Sequence, residues 1–162
     1  MTTDPIEEYL RDMTRTFEGC VLWAAKAILE TDIRMTEGFQ VLRSLPEGPS
    51  LFCMLPTANP EFHSLLTLGV DEKDLEALFL EEADTQLRRD ALGEMANVIS
   101  GLFVAEESLV ARFGNLRPSS PFYCEGPYSS QADWSMRGSF EAHGKVVVVD
   151  FSIRRLGAER LT

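Results

Sequence analysis

The chain has no apolar run approaching the roughly 20 residues that an α-helix needs to cross a bilayer. Its start, MTTDPIEEYL, has neither a basic segment nor an apolar signal core. Both absences predict a cytoplasmic protein. Basic residues are also scarce: 15 Lys and Arg stand against 26 Asp and Glu, for a formal charge of -11. A surface of that sign repels phosphate backbones and anionic lipid, so nucleic acid and membrane are both disfavoured as partners. Only three cysteines occur, Cys20, Cys53 and Cys124, far apart and each in an apolar setting. That pattern reads as buried, reduced thiols and not as a disulfide framework. The two histidines, His63 and His143, have no cysteine or second histidine at metal-ligand spacing, so no metal site is expected. No repeat, low-complexity tract or linker divides the 162 residues, a length that suits one domain over residues 1–162 with a core of its own.

What is present is clear periodicity. Asp4-Pro5 is a helix start, with Asp4 able to cap free amides and Pro5 pre-set for the first turn. From there Ile6, Leu10, Met13, Phe17, Val21, Ala24 and Ile28 follow a helical stripe that fades between Leu29 and Ile33, with Gly19 as a point for a kink. Three strand-like runs follow, Phe39 to Leu42, Leu51 to Leu55 and Ser64 to Val70, separated by turn residues such as Pro46, Gly48 and Asn59-Pro60. Their closeness predicts an antiparallel meander.

Asp71 is placed to cap a short helix from Glu72 to Phe79, and a long helix is expected from Glu81 to Arg112. Strands then read near Phe122 to Glu125, Met136 to Ala142 and Lys145 to Ile153, with His143-Gly144 closing the last hairpin. Val146 to Val149 is an unbroken β-branched run, which predicts a strand covered on both faces. The element order implies an α+β fold: two long helices packed on one face of a largely antiparallel six-stranded sheet.

The long helix carries the chain's most informative stretch, DALGEMANVISG from Asp90 to Gly101. Leu87, Ala91, Met95, Val98, Leu102 and Leu109 recur at three- and four-residue spacing and form an apolar stripe. Asp90, Glu94, Asn97, Gly101 and Ser108 gather in a second, polar stripe. Glu94 and Asn97, three apart, are neighbours on one face. Gly101 costs on the order of 1 kcal/mol against alanine inside a helix, which is expected where another backbone or a partner protein comes close.

An acidic residue, Glu four residues on, Asn three further and a proline after a loop resembles the signature of the CheC/CheX/FliY phosphatases of bacterial chemotaxis. Here it reads Asp90, Glu94, Asn97 and Pro121, the last opening PFYCEG (Pro121 to Gly126). Pro121 stands one residue later than the family spacing, and Pro118 is a competing candidate. CheC-type members carry a second Glu-x-x-Asn in their first helix. Here Glu18 is followed by Val21 where that Asn would stand, similar to the single-site CheX-like branch.

The resemblance implies a CheX-like fold, a homodimer and a CheY-like receiver domain as partner, phosphorylated on an aspartate. It implies that Asn97 orients the attacking water and that Glu94 pairs with a lysine of the receiver. Asp90, Gly101 and Pro121 would support the site. No cofactor would be bound by this chain, Mg2+ arriving with the phosphorylated partner. Hydrolysis of an acyl phosphate calls mainly for a water held in line with phosphorus, and a carboxamide can both donate and accept to hold it.

Two other classes stay open. One is a non-catalytic receiver-binding or dimerisation module, in which Glu94 still docks a partner. The other is a small-molecule sensor with a pocket lined by Trp23 and Trp134. Arg88-Arg89 beside the motif reads as balancing Glu81 and Glu82 on a solvated face.

Overall fold

A computed structural model describes residues 4–43, 48–79, 84–126 and 132–157. Pro46, Glu81 and Glu82 therefore lie outside the described residues. Helix α1 runs Pro5–Leu29, with the Asp4 carboxylate accepting the Ile6 amide at 2.8 Å and Pro5 in the first turn. It ends where Glu30 turns left-handed at φ 50°, and it passes Gly19 without a break. Its buried stripe includes Leu10, Met13, Phe17, Val21 and Ala24.

Strands β1 (Arg34–Leu42), β2 (Leu51–Ala58) and β3 (Phe62–Val70) follow. The predicted Glu72 to Phe79 helix is reduced to a 3-10 turn, Glu72–Asp74, and one turn of α2, Leu75–Leu78, without a side-chain cap from Asp71. Helix α3 spans Thr85–Val104, α4 Glu107–Phe113, and then come β4 (Arg117–Pro118), β5 (Phe122–Glu125), β6 (Trp134–Ala142) and β7 (Lys145–Arg155).

All strand pairs are antiparallel, in the order β1-β6-β7-β3-β2-β4, with β5 also on β2. The seventh strand beyond the expected six is the two-residue β4, whose Pro118 sits at an edge where its missing amide is tolerated. The predicted meander of the first three strands is corrected. β2 and β3 do form a hairpin, but β1 lies on the far edge, because the β6–β7 hairpin inserts between it and β3. His143 and Gly144 close that hairpin with φ of 50° and 72°, the positive pair that a two-residue turn requires.

Val147, Val149, Phe151 and Ile153 of β7 point to the helices and are buried, whereas Val146 is 42% exposed on the other face. The helices thus cover one face only; on the other face Val146 is exposed and Val148 half-buried, so the valine run is not covered on both faces, although Asp150 and Ser152 further along are buried. The opposite face is lined by small polar groups, Thr67, Ser135, Ser139 and Ser152, around an ion pair. There Arg137 donates to both Asp150 oxygens, at 2.5 and 2.8 Å. Asp150 is 2% exposed, and burial, opposed by Arg137, raises its pKa above the ordinary aspartate value.

The expected helix Glu81 to Arg112 is divided at Ala105. Phe103 and Leu109 are six residues apart, which in an unbroken helix would set them about 120° apart. Breaking the helix lets Phe103, Leu109 and Phe113 all enter the core. The buried line of α3 is Leu92, Met95, Ala96, Ile99 and Phe103, rotated from the stripe read in the sequence. Leu87 and Leu102 are exposed, at 57% and 39%, and Val98 is half-buried. Size decided this: Gly93, Ala96 and Ser100 lie on the buried side and let the helix approach its neighbours closely, a property that a hydrophobicity pattern does not register.

Candidate functional site

Helix α3 starts at Asp84, whose carboxylate accepts the Leu87 amide at 2.8 Å, and so presents a fixed outer face. Asp90, Glu94, Asn97 and Gly101 all lie exposed on it. Ser108, on α4, has left that line and shares a hydrogen bond with Tyr9. Among the described residues, no hydrogen bond or ion pair engages the side chain of Glu94 or Asn97. Asp90 differs: it accepts a hydrogen bond from Gln86 at 2.8 Å.

Two glycines divide the work expected of one. A Cβ on Gly101 would meet nothing within 4 Å, so no close approach inside this chain explains it. A Cβ on Gly93 would lie 2.7 Å from the Tyr123 hydroxyl and 3.3 Å from Pro121 Cγ. Pro121 therefore sits against the turn that leads into Glu94, while Pro118 pairs with Thr57 at the sheet edge. Sequence reading missed Gly93 and Tyr123; the signal was a glycine one residue before Glu94.

Tyr123 comes from β5 and donates its hydroxyl hydrogen to the carbonyl of Arg89, while the Gly93 amide acts on its oxygen. The hydroxyl is thus bound to the Arg89 carbonyl beside Gly93, one turn before Asn97, and ties this turn of α3 to β5. Burial, then the charges of Cys53 and Asp90, pushes the Tyr123 pKa up to about 12, so it stays a donor at neutral pH. Gly93→Val should force Tyr123 and Pro121 aside and destabilise the protein by about 1–3 kcal/mol. Gly101→Ala, in open space, should stabilise it by up to about 1 kcal/mol. Urea unfolding of the two variants checks the opposite signs; equal shifts would refute the close approach at Gly93.

Arg88 and Arg89 pair with Glu76, Glu72 and Glu125, tying α3 to the segment before it and to β5. Cys20 and Cys53 are buried and Cys124 is half-buried, all three free. Burial pushes the Cys20 and Cys53 thiols up to about 11 and about 12, so neither is a thiolate nucleophile at neutral pH. Among the described residues, no group of three or more His, Cys, Asp or Glu side chains could hold a metal, and no helix is long and apolar enough to cross a membrane. Val21, where a second Asn would stand, is fully buried. The two tryptophans do not share a pocket: Trp134 lines a cleft at the start of α1, whereas Trp23 is 63% exposed on the outer side of that helix.

No protein-family model matches the chain, and no curated protein matches its sequence. Solved structures do. A chemotaxis protein of Desulfovibrio vulgaris Hildenborough superposes with a TM-score of 0.68 at 15% identity, covering 88% of this chain and 97% of that one. The chemotaxis protein CheX of Vibrio vulnificus gives 0.66 at 10% identity over 88% and 99%. The fold is that of the CheX-like chemotaxis proteins. A further CheX-like structure, the CheX–CheY–BeF3–Mg2+ complex of Borrelia burgdorferi, gives 0.63 at 15% identity over 86% and 96%.

Proposed function

We propose that this chain is a single CheX-like domain that dephosphorylates the aspartyl phosphate of a CheY-like receiver in the cytoplasm. The observation that carries the reading is the exposed, unengaged Glu94–Asn97 pair on α3 beside Pro121. The CheX–CheY complex among the similar structures supports a receiver as the partner. Asn97 orients the attacking water by donating and accepting through one carboxamide. Glu94 docks on a cation of the receiver and sets its register. Asp90 and Tyr123 hold the turn, and Mg2+ comes with the phosphorylated partner.

The test is the lifetime of a phosphorylated receiver from the same cell, with and without this protein. Shortening supports the proposal. Binding with an unchanged lifetime leaves the receiver-binding module as the function.

A homodimer joined through sheet edges belongs to the same proposal. β7 is interior, between β6 and β3, and so offers no free edge for the seam. Among the described residues β1, nine residues long, is one edge of the sheet and the longer one, β4 and β5 forming the other. Light scattering should show a dimer at micromolar concentration; a monomer would remove this part of the proposal.

A further inference from the structure

At the end of the fold where α1 begins, a cleft of about 590 Å³ opens between the helices and the sheet. Three arginines from three separate elements line it: Arg43 just beyond β1, Arg112 in α4 and Arg155 at the end of β7. Such convergence is unexpected in a chain with formal charge -11. Arg11, Arg34, Arg88, Arg89 and Arg137 each pair with a carboxylate. Among the described residues, no ion pair engages Arg43, Arg112 or Arg155.

The rest of the lining is aromatic and acidic apart from Pro5 and Ile6. Phe62 and Phe113 meet edge to face, with ring centres 5.0 Å apart. The Arg43 guanidinium stands 4.4 Å from the centre of the Trp134 ring, and that of Arg155 5.7 Å from Phe62. Stacking of this kind accounts for Arg43 and Arg155 one at a time. It does not account for Arg112, and with Asp4 and Asp133 in the same lining the three guanidinium groups leave the cleft one positive charge in excess, which an anion would balance. Each carboxylate also accepts a backbone amide, Asp4 that of Ile6 at 2.8 Å and Asp133 that of Arg155 at 2.9 Å, and the Asp4 pKa is lowered by that amide first and also by the nearby Arg43 charge.

We propose that this cleft binds a small organic phosphate of the nucleoside monophosphate class. Guanidinium groups match phosphate oxygens in pairs of parallel hydrogen bonds, and three of them can surround a dianion. The volume lies in the range of small-ligand sites. Phe62, Phe113 and Trp134 offer apolar surface to a planar ring, and the free lone pairs of Asp4 and Asp133 can accept from sugar hydroxyls. Those same carboxylates repel any phosphate dianion, so contacts to the ring and sugar must supply the selection over inorganic phosphate. The proposal is independent of the phosphatase reading, because no cleft residue belongs to the Asp90–Asn97 face.

Titration calorimetry of the full chain with AMP, GMP, CMP and UMP, with adenosine and inorganic phosphate as controls, tests it. At least one nucleoside monophosphate should bind saturably at millimolar concentration or below, adenosine should not, and inorganic phosphate should bind more weakly. Arg112→Gln and Arg155→Gln should each lower the affinity about tenfold, with thermal unfolding showing that both variants fold. Arg154→Gln, on the opposite face of the sheet, should leave binding unchanged. Higher salt should weaken the wild-type affinity. No saturable binding by any of the four nucleotides overturns the proposal. So does binding that survives both cleft substitutions, or inorganic phosphate binding as tightly as the nucleotides.

Discussion

Asn97→Ala should lower the stimulated rate of receiver dephosphorylation about a hundredfold, the cost of losing the alignment of one reacting group. Complex formation with the receiver should be nearly unchanged, because the lost contact acts in the transition state. The protein should fold as before: Asn97 is exposed and engages no other group within the described residues. Glu94→Ala supplies the contrast. Its loss removes a charge from the docking surface, so binding and rate should fall together. The gap from wild type should narrow at high salt, where wild-type docking is itself screened. Receiver phosphorylation followed in real time, beside a binding titration, separates the two effects. An Asn97→Ala protein as active as wild type would end the phosphatase proposal, and equal behaviour of the two variants would end the division of roles.

Arg137→Ala should destabilise the fold by about 3–5 kcal/mol, as expected when one partner of a buried ion pair is removed. For a domain of this size that lowers the thermal midpoint by on the order of 10 °C. The Arg137 side chain is 11% exposed and Asp150 2%, so the pair is held largely out of water. The pH dependence has a definite sign. Burial already raises the Asp150 pKa, and Arg137 is the group that opposes the rise. Without it the folded-state pKa climbs further above the ordinary aspartate value. The protonated carboxyl then favours the folded state at low pH, and that stability is lost as pH rises through the folded pKa. The variant should therefore be weakest relative to wild type near neutral pH and recover towards it in acid. Thermal melts across that range measure it; a deficit independent of pH would mean that Arg137 acts by packing alone.

The Asp4-Pro5 start of α1, the β2–β3 and β6–β7 hairpins and the exposed line Asp90, Glu94, Asn97, Gly101 were all legible in the sequence. Each rests on local chemistry: a cap, a short turn, a period of 3.6. The same holds for the absence of an Asn partner to Glu18, since Val21 is read directly from the chain. Where the sequence reading failed, the deciding interaction joined residues far apart. Strand β1 belongs beside β6, about a hundred residues away, and no local signal distinguishes that partner from the adjacent β2.

The division of the second long helix and the rotation of its buried face have a common cause. Phe103, Leu109 and Phe113 must reach one core made by α1 and the sheet, and small residues at Gly93, Ala96 and Ser100 determine how closely α3 can approach. Periodicity places residues on a face of an isolated helix; only the neighbouring elements decide which face is pressed inward. The site shows the same division. The sequence by itself determined that Glu94 and Asn97 share a face, because helical geometry depends on spacing alone. Tertiary structure decided that Pro121 and Tyr123, from the sheet edge, meet that helix at Gly93, because the space for them is set by packing between elements distant in the chain.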